Sequence, residues 1–120
     1  TSPLRTHNDI KKVINILKNY KPKILFSISE SIEHPFETII KYKNSWKKIL
    51  KPQKTFVRRQ DFGVDSFFQN GAFYVTHKSL LEKKMLYSNK NHLFYEMQKS
   101  KSVEINDIEE AKIVSALLKK

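Results

Sequence analysis

Thr6-His7-Asn8-Asp9-Ile10-Lys11-Lys12-Val13-Ile14-Asn15-Ile16-Leu17-Lys18-Asn19 leads, across a short break, into Ile24-Leu25-Phe26-Ser27-Ile28. The first segment predicts a helix over residues 6–19. Thr6 is placed to cap it, with Asp9 three residues on in capping-box spacing. Ile10, Val13, Ile14 and Leu17 fall at i, i+3, i+4 and i+7 and form one apolar stripe, and Tyr20 to Pro22 end the helix. The second segment is a short apolar run of the kind found in a strand buried on both faces. A strand after a helix predicts an α/β fold with a parallel sheet.

Working outward, residues 36–50 read as a hairpin. Thr38 to Tyr42 and Trp46 to Leu50 flank the polar turn Lys43-Asn44-Ser45, with a helix as the competing reading. Residues 71–76 are rich in β-formers and predict a strand; 78–84 predict a short helix and 92–97 another strand. Residues 102–105 read as a brief strand, after which Asn106 would cap a helix to about Leu118, with Glu109 in capping-box spacing. Ile108, Ala111, Val114, Leu117 and Leu118 supply its apolar stripe. One sheet with helices is the economical arrangement, and 120 residues make one domain or part of one.

Composition narrows the partners. Cysteine is absent, which removes disulfides and thiolate metal sites and fits a reducing, cytoplasmic setting. No apolar run approaches the ~20 residues of a membrane span, so no membrane partner is expected. The formal net charge is +11, which favours an anionic partner or follows from a lysine-rich composition, since 20 of the 23 basic residues are Lys. Arg is the usual residue for bidentate recognition of phosphate or carboxylate, and Arg5, Arg58 and Arg59 are the three in the chain.

Several constellations can carry chemistry, each beside a plainer reading. Arg5 follows Thr1-Ser2-Pro3-Leu4 at the mouth of the first helix, where open α/β sheets place ligands; it is also an ordinary strand-to-helix turn. Arg58, Arg59 and Asp61 could clamp an anion or form a surface ion pair. In Asn70-Gly71-Ala72-Phe73-Tyr74 the Gly lets backbone approach a ligand or bends the strand. Asn70 could bond a sugar and Tyr74 could close the pocket, or Phe73 and Tyr74 could divide between core and solvent. Glu104 and Asn106 alternate at a strand end and so share a side, which suits magnesium with retained waters; alternatively Asn106 is only a cap. The histidines are too scattered for zinc, and His34-Pro35 reads as a turn. Lys41 to Lys54 holds six Lys and no acid, with Tyr42 and Trp46 between them. That pattern suits nucleic acid or a solvated hairpin face.

Taken in order, Thr1-Ser2-Pro3-Leu4-Arg5, Glu33-His34-Pro35, Arg58-Arg59-Gln60-Asp61, Asn70-Gly71-Ala72-Phe73-Tyr74 and Ser102-Val103-Glu104-Ile105-Asn106 resemble the sugar-acid cytidylyltransferases. The closest resemblance is to the acylneuraminate (sialic acid-type) members, and it spans essentially the whole chain. It implies a three-layer, nucleotide-diphospho-sugar-transferase-like (Rossmann-like) α/β sheet, N-terminally truncated, with a protruding dimerisation hairpin within about residues 36–60 and a homodimer as the working form. It implies transfer of CMP from CTP to a nonulosonic acid with release of pyrophosphate, assisted by Mg2+. By motif, Arg5, Arg59, Gln60, Asn70, Gly71, Ala72 and Tyr74 become substrate-binding residues, Arg59 reaching the partner subunit's substrate, and Glu104 and Asn106 become metal-binding residues. No catalytic residue is assigned.

Departures from the family pattern bound the expectation. The strand and the Gly-, Lys- and Arg-rich loop that grip CTP in the family do not precede Thr1, nor does the Gln-Pro. Asn106 stands where a second acid is common, Glu37 where a basic residue is common, and Gly63 where Pro is expected, in a stretch one residue longer. This chain alone is therefore expected to be inactive towards CTP. A non-catalytic dimerising remnant and a basic nucleic-acid-binding module are the alternatives.

Overall fold

A computed structural model describes residues 2–51, 58–82 and 91–119. The fold is mixed α/β and divides into two compact units, one of residues 1–29 with 69–120 and one of residues 30–68.

In the first unit, helix α1 (His7–Tyr20) begins as its sequence directs. The Thr6 side chain accepts from the Asp9 N–H and the Asp9 side chain accepts from the Thr6 N–H, a complete capping box. The helix ends on Lys21 in the left-handed region, its N–H donating to the Leu17 carbonyl. Strand β1 (Ile24–Glu30) is the centre of a three-stranded sheet, flanked by β4 (Phe67–Thr76) and β5 (His92–Glu96). Its first four residues are all buried, as expected of a central strand covered on both faces. β1 and β5 run parallel, with Ile24 opposite His92 and Ile28 opposite Glu96. The sheet as a whole is mixed, so β4 runs antiparallel to β1, which corrects the expectation of a purely parallel sheet. Helix α2 (Lys78–Glu82) follows β4, and helix α3 (Ile108–Leu118) ends the unit; residues 83 and 84 of the expected short helix lie outside the described residues.

The core joins α1 to one face of this sheet. Val13, Leu25, Ala72, Tyr95 and Met97 are buried together, and Ile16, Leu17, Phe73 and Val75 pack against them. The buried stripe of α1 is thus Asp9, Val13, Ile16 and Leu17, while Ile10 and Ile14 are exposed. The rotation has a polar cause: the Asp9 carboxylate turns inward and accepts from the Tyr95 hydroxyl at 2.7 Å.

Two other expectations are corrected. Residues 102–105 form no strand; a 3-10 turn, Lys99–Lys101, precedes them and they run irregularly. Asp107, not Asn106, caps α3, its side chain accepting from the Glu109 and Glu110 N–H groups. The Glu110 carboxylate reaches back to the Asn106 N–H at 2.7 Å, so the acidic partner of the cap lies one position later than Glu109. Asp is as good an N-cap as Asn, and local propensity cannot choose between adjacent candidates.

The second unit contains the expected hairpin. Strands β2 (Ile39–Tyr42) and β3 (Ser45–Lys48) pair antiparallel with Lys41 opposite Trp46, and Lys43 takes φ 53° in the turn. Every residue of both strands is exposed. Lys41 lies over the Trp46 ring and Lys47 over the Tyr42 ring, at 5.5 and 5.0 Å from the centroids. Lys54, the last residue of the lysine run, lies outside the described residues. The small core of this unit is aromatic. His34 packs between Phe36 and Phe62, with ring centroids 4.8 and 4.6 Å away. Its Nδ1 accepts from the Phe36 N–H. Nε2 is then the nitrogen that donates to the Val64 carbonyl, which makes His34 an internal residue of the His-Pro turn.

Candidate functional site

The candidate site in the first unit begins with Gly71, which lies within β4 at φ +67°, a backbone conformation that L side chains rarely adopt. A Cβ built there would lie 1.9 Å from Oε1 of Glu104. The notch left by the missing side chain is where the Glu104 carboxyl rests. The kink also redirects nearby backbone groups. Asn70 Oδ1 accepts from the Ala72 N–H across the glycine at 3.3 Å, and the Ser27 hydroxyl of β1 accepts from the Phe73 N–H at 2.7 Å. Asn70 is fully buried, and its Nδ2 donates to the Ser102 hydroxyl, which donates in turn to the Gln98 carbonyl. Its amide thus ties the kink to the segment that carries Glu104, and its polar atoms are taken up by these internal bonds.

Arg5 arrives from the opposite end of the sequence. Its Nη1 donates to the Ala72 carbonyl at 2.5 Å, and the guanidinium lies over the Phe73 ring, 5.1 Å from the centroid. A closed circuit holds it there. Phe73 meets Tyr95 edge-on at 5.8 Å, Tyr95 donates to Asp9, and Asp9 Oδ2 accepts from both the N–H and the hydroxyl of Thr6, the residue after Arg5. Burial would raise the Asp9 carboxyl, but the hydrogen bonds from the Thr6 hydroxyl and N–H and from Tyr95, with the charge of Lys101, bring it below its ordinary value. The Tyr95 hydroxyl is pushed up to about 12 by burial, by its hydrogen bond to Asp9 and by that carboxylate's charge. In the sequence Asp9 reads only as part of the cap. The link to Tyr95 spans 86 positions and leaves no local signal.

Two of the five motifs therefore meet a third on neighbouring residues of β4, Arg5 at Ala72 and Glu104 at Gly71 (Thr1 lies outside the described residues). Tyr74 is 59% exposed and meets Phe26 edge-on at 5.5 Å, whereas its neighbour Phe73 packs against the core cluster. The side chains of Phe73 and Tyr74 thus take opposite faces of β4, as the pleat requires. Asn106 is exposed, next to the cap of α3.

Glu104 is half-buried and makes no hydrogen bond or ion pair with the described residues. Among those residues no group of three or more His, Cys, Asp or Glu side chains gathers as a metal cluster. Magnesium commonly takes one or two protein carboxylates and completes its shell with waters and substrate phosphates. The Glu104 carboxylate at the Gly71 notch, unpaired among the described residues, fits that requirement.

Arg59 and Gln60 belong to the second unit, on a 3-10 turn, Arg59–Asp61. Arg58 anchors the turn through a two-point pair with Asp61, at 3.0 and 2.9 Å. Arg59 Nη2 donates to the Ile32 carbonyl, and the guanidinium lies 3.8 Å from Glu33 and 3.6 Å from Glu37. Gln60 and Arg59 line a cavity of about 290 Å3 with Glu30, His34, Phe62 and Asp65 among the other walls. Its carboxylates are Glu30 and Asp65, and Arg59 is already balanced by Glu33 and Glu37, so the surroundings of Arg59 are acidic in a chain that is otherwise basic.

Comparison with protein-family models and with curated proteins gives no match to this chain. Among the described residues no helix is long and apolar enough to cross a membrane.

Proposed function

We propose that the chain is part of a cytoplasmic cytidylyltransferase that activates a nonulosonic (sialic acid-type) sugar with CTP, giving a CMP-sugar and pyrophosphate. One observation carries the reading: residues singled out as separate motifs meet on neighbouring positions of β4, where Arg5 donates to the Ala72 carbonyl and the Glu104 carboxyl fills the notch at Gly71. Such a place suits a reaction in which positioning and charge neutralisation dominate. Arg5 retains guanidinium donors beyond the one given to Ala72, which can receive an anionic group of the substrate. Glu104 is the carboxylate that would hold Mg2+, with Asn106 two positions on in sequence, and the ion when bound would neutralise charge on the departing pyrophosphate. The three-layer, Rossmann-like sheet and a homodimer formed through the hairpin of the second unit, with Arg59 serving the partner subunit's substrate, complete the proposal.

The test is binding of N-acetylneuraminate, with and without Mg2+, by calorimetry; the chain alone is expected to release no pyrophosphate from CTP. Binding of the sugar acid that is lost in Arg5→Ala, with metal dependence lost in Glu104→Gln, is the expected result. Failure of the wild-type chain to bind the sugar acid removes the reading.

The exposed hairpin, with lysines lying over Tyr42 and Trp46, supports a second reading as a basic nucleic-acid-binding module. Steeply salt-dependent binding to unrelated oligonucleotides would favour it. A dimer that ignores both substrates and oligonucleotides would point to a non-catalytic dimerising protein.

A further inference from the structure

Arg59 is the less settled of the two candidate anion-binding arginines. One guanidinium faces two carboxylates and a carbonyl, so its charge is more than neutralised where it lies. A third carboxylate or a phosphate arriving at that position would meet a net negative set and be repelled. To receive an anion, Arg59 has to leave its neighbours.

The surroundings are arranged for that. The turn beneath Arg59 does not depend on it, because Arg58 and Asp61 pin the turn independently. Glu37 sits on a hydrogen-bonded turn: its N–H donates to the His34 carbonyl, and His34 is wedged between two phenylalanine rings. Glu33, by contrast, has a side chain that is 78% exposed. The pairs themselves are long and solvated, hence weak and easily exchanged.

We propose that Glu37 is a latch: it holds Arg59 within its own chain at rest and yields it to an incoming carboxylate or phosphate. The proposal rests on the reading of Arg59 as a substrate-binding group and adds that Glu37 sets how available that group is. Affinity for an acidic ligand is then a competition between two carboxylates for one guanidinium, and Glu33 plays the lesser part.

The chain contains three arginines, so the side-chain Nε–H region of a nitrogen-15 spectrum holds three signals, assignable with Arg59→Lys. In Glu37→Gln, an isosteric change at a half-exposed position, the Arg59 signal should shift and exchange rapidly with water while those of Arg5 and Arg58 stay in place. An Arg59 signal indifferent to Glu37→Gln overturns the latch, whatever the protein binds. The same variants are then titrated with N-acetylneuraminate. Glu37→Gln should bind up to about fivefold more tightly than wild type, Glu33→Gln less so, Glu37→Asp should return towards wild type, and Arg59→Ala should lose the gain. Equal affinity in all of them overturns the competition. Absence of N-acetylneuraminate binding throughout overturns the site reading on which the latch depends, and the spectrum still reports separately whether Glu37 holds Arg59.

Discussion

In the sheet unit, Arg5 lies on an aromatic ring, bonds a main-chain carbonyl, and is steadied through Thr6, Asp9, Tyr95 and Phe73 by hydrogen bonds of 2.6 to 2.8 Å and an edge-on ring pair. In the 30–68 unit, Arg59 is held by carboxylates at 3.6 and 3.8 Å whose side chains are 45% and 78% exposed. The same side chain is preorganised in one place and exchangeable in the other. The difference comes from what surrounds it: a buried network loses more than its bonds when one member goes, because the remaining polar groups are stranded without water, whereas water replaces a surface ion pair at little cost.

Deleting one carboxylate from each unit should separate the two most widely. Asp9→Ala removes the capping box and strands the Tyr95 hydroxyl, and should lower stability by about 2–4 kcal/mol. Glu37→Ala should cost less than about 1 kcal/mol. Urea unfolding followed by circular dichroism measures both, and equal losses would mean that Asp9 is no better integrated than a surface acid.

Gly71→Ala should come next. An alanine at φ +67° costs about 1–2 kcal/mol, and its Cβ must push the Glu104 carboxyl out of the notch. The larger consequence is expected in binding: any Mg2+ dependence of sugar-acid binding should fall as far as in Glu104→Gln while the fold persists. Retained metal dependence would separate Glu104 from the site.

The Asp9–Tyr95 pair gives the sheet unit its own pH dependence. The depressed Asp9 carboxyl contributes stability that is present above the ordinary carboxylate value and is lost as pH falls through its lower folded value. The raised Tyr95 hydroxyl contributes stability that is intact below about 10, the ordinary tyrosine value, and is lost as pH climbs towards about 12. Melting temperatures between pH 8 and 12 should therefore decline in wild type with a component that Tyr95→Phe lacks.

Salt should produce the smallest effect. Raising sodium chloride from about 0.1 to 1 M shortens the Debye length from ~10 to ~3 Å. That should mobilise the Arg59 Nε–H signal and leave the Arg5 signal unchanged, since Arg5 is held by a carbonyl and a ring.

Local patterns carried much of this fold. The Thr6–Asp9 box, the apolar run of β1 and the polar turn at residues 43–45 each specify their element through near neighbours, so helix, central strand and hairpin were legible before any packing was known. Asp107 was missed as a cap because Asn106 and Asp107 are chemically equivalent choices one residue apart. Ser102 to Ile105 was misread as a strand because a short apolar alternation carries no information about whether a neighbouring strand exists to pair with it. The rotation of α1 that buries Asp9 and exposes Ile10 and Ile14 depended on Tyr95, which periodicity cannot see.

The same division runs through the site. Residue chemistry alone marked Arg5, Gly71, Glu104 and Arg59 as places where charge or backbone freedom is concentrated. Which of them meet, that Glu104 fills the space Gly71 leaves, that Asn70 is spent on internal bonds, and that Arg59 is balanced by Glu33 and Glu37 were settled by contacts across the folded chain. Capping, turns and amphipathic spacing are energies between residues a few positions apart and are written locally. Burial, the partner of a charge and the contents of a notch are energies between residues as far apart as 67 and 86 positions, and they exist only once the chain has closed on itself.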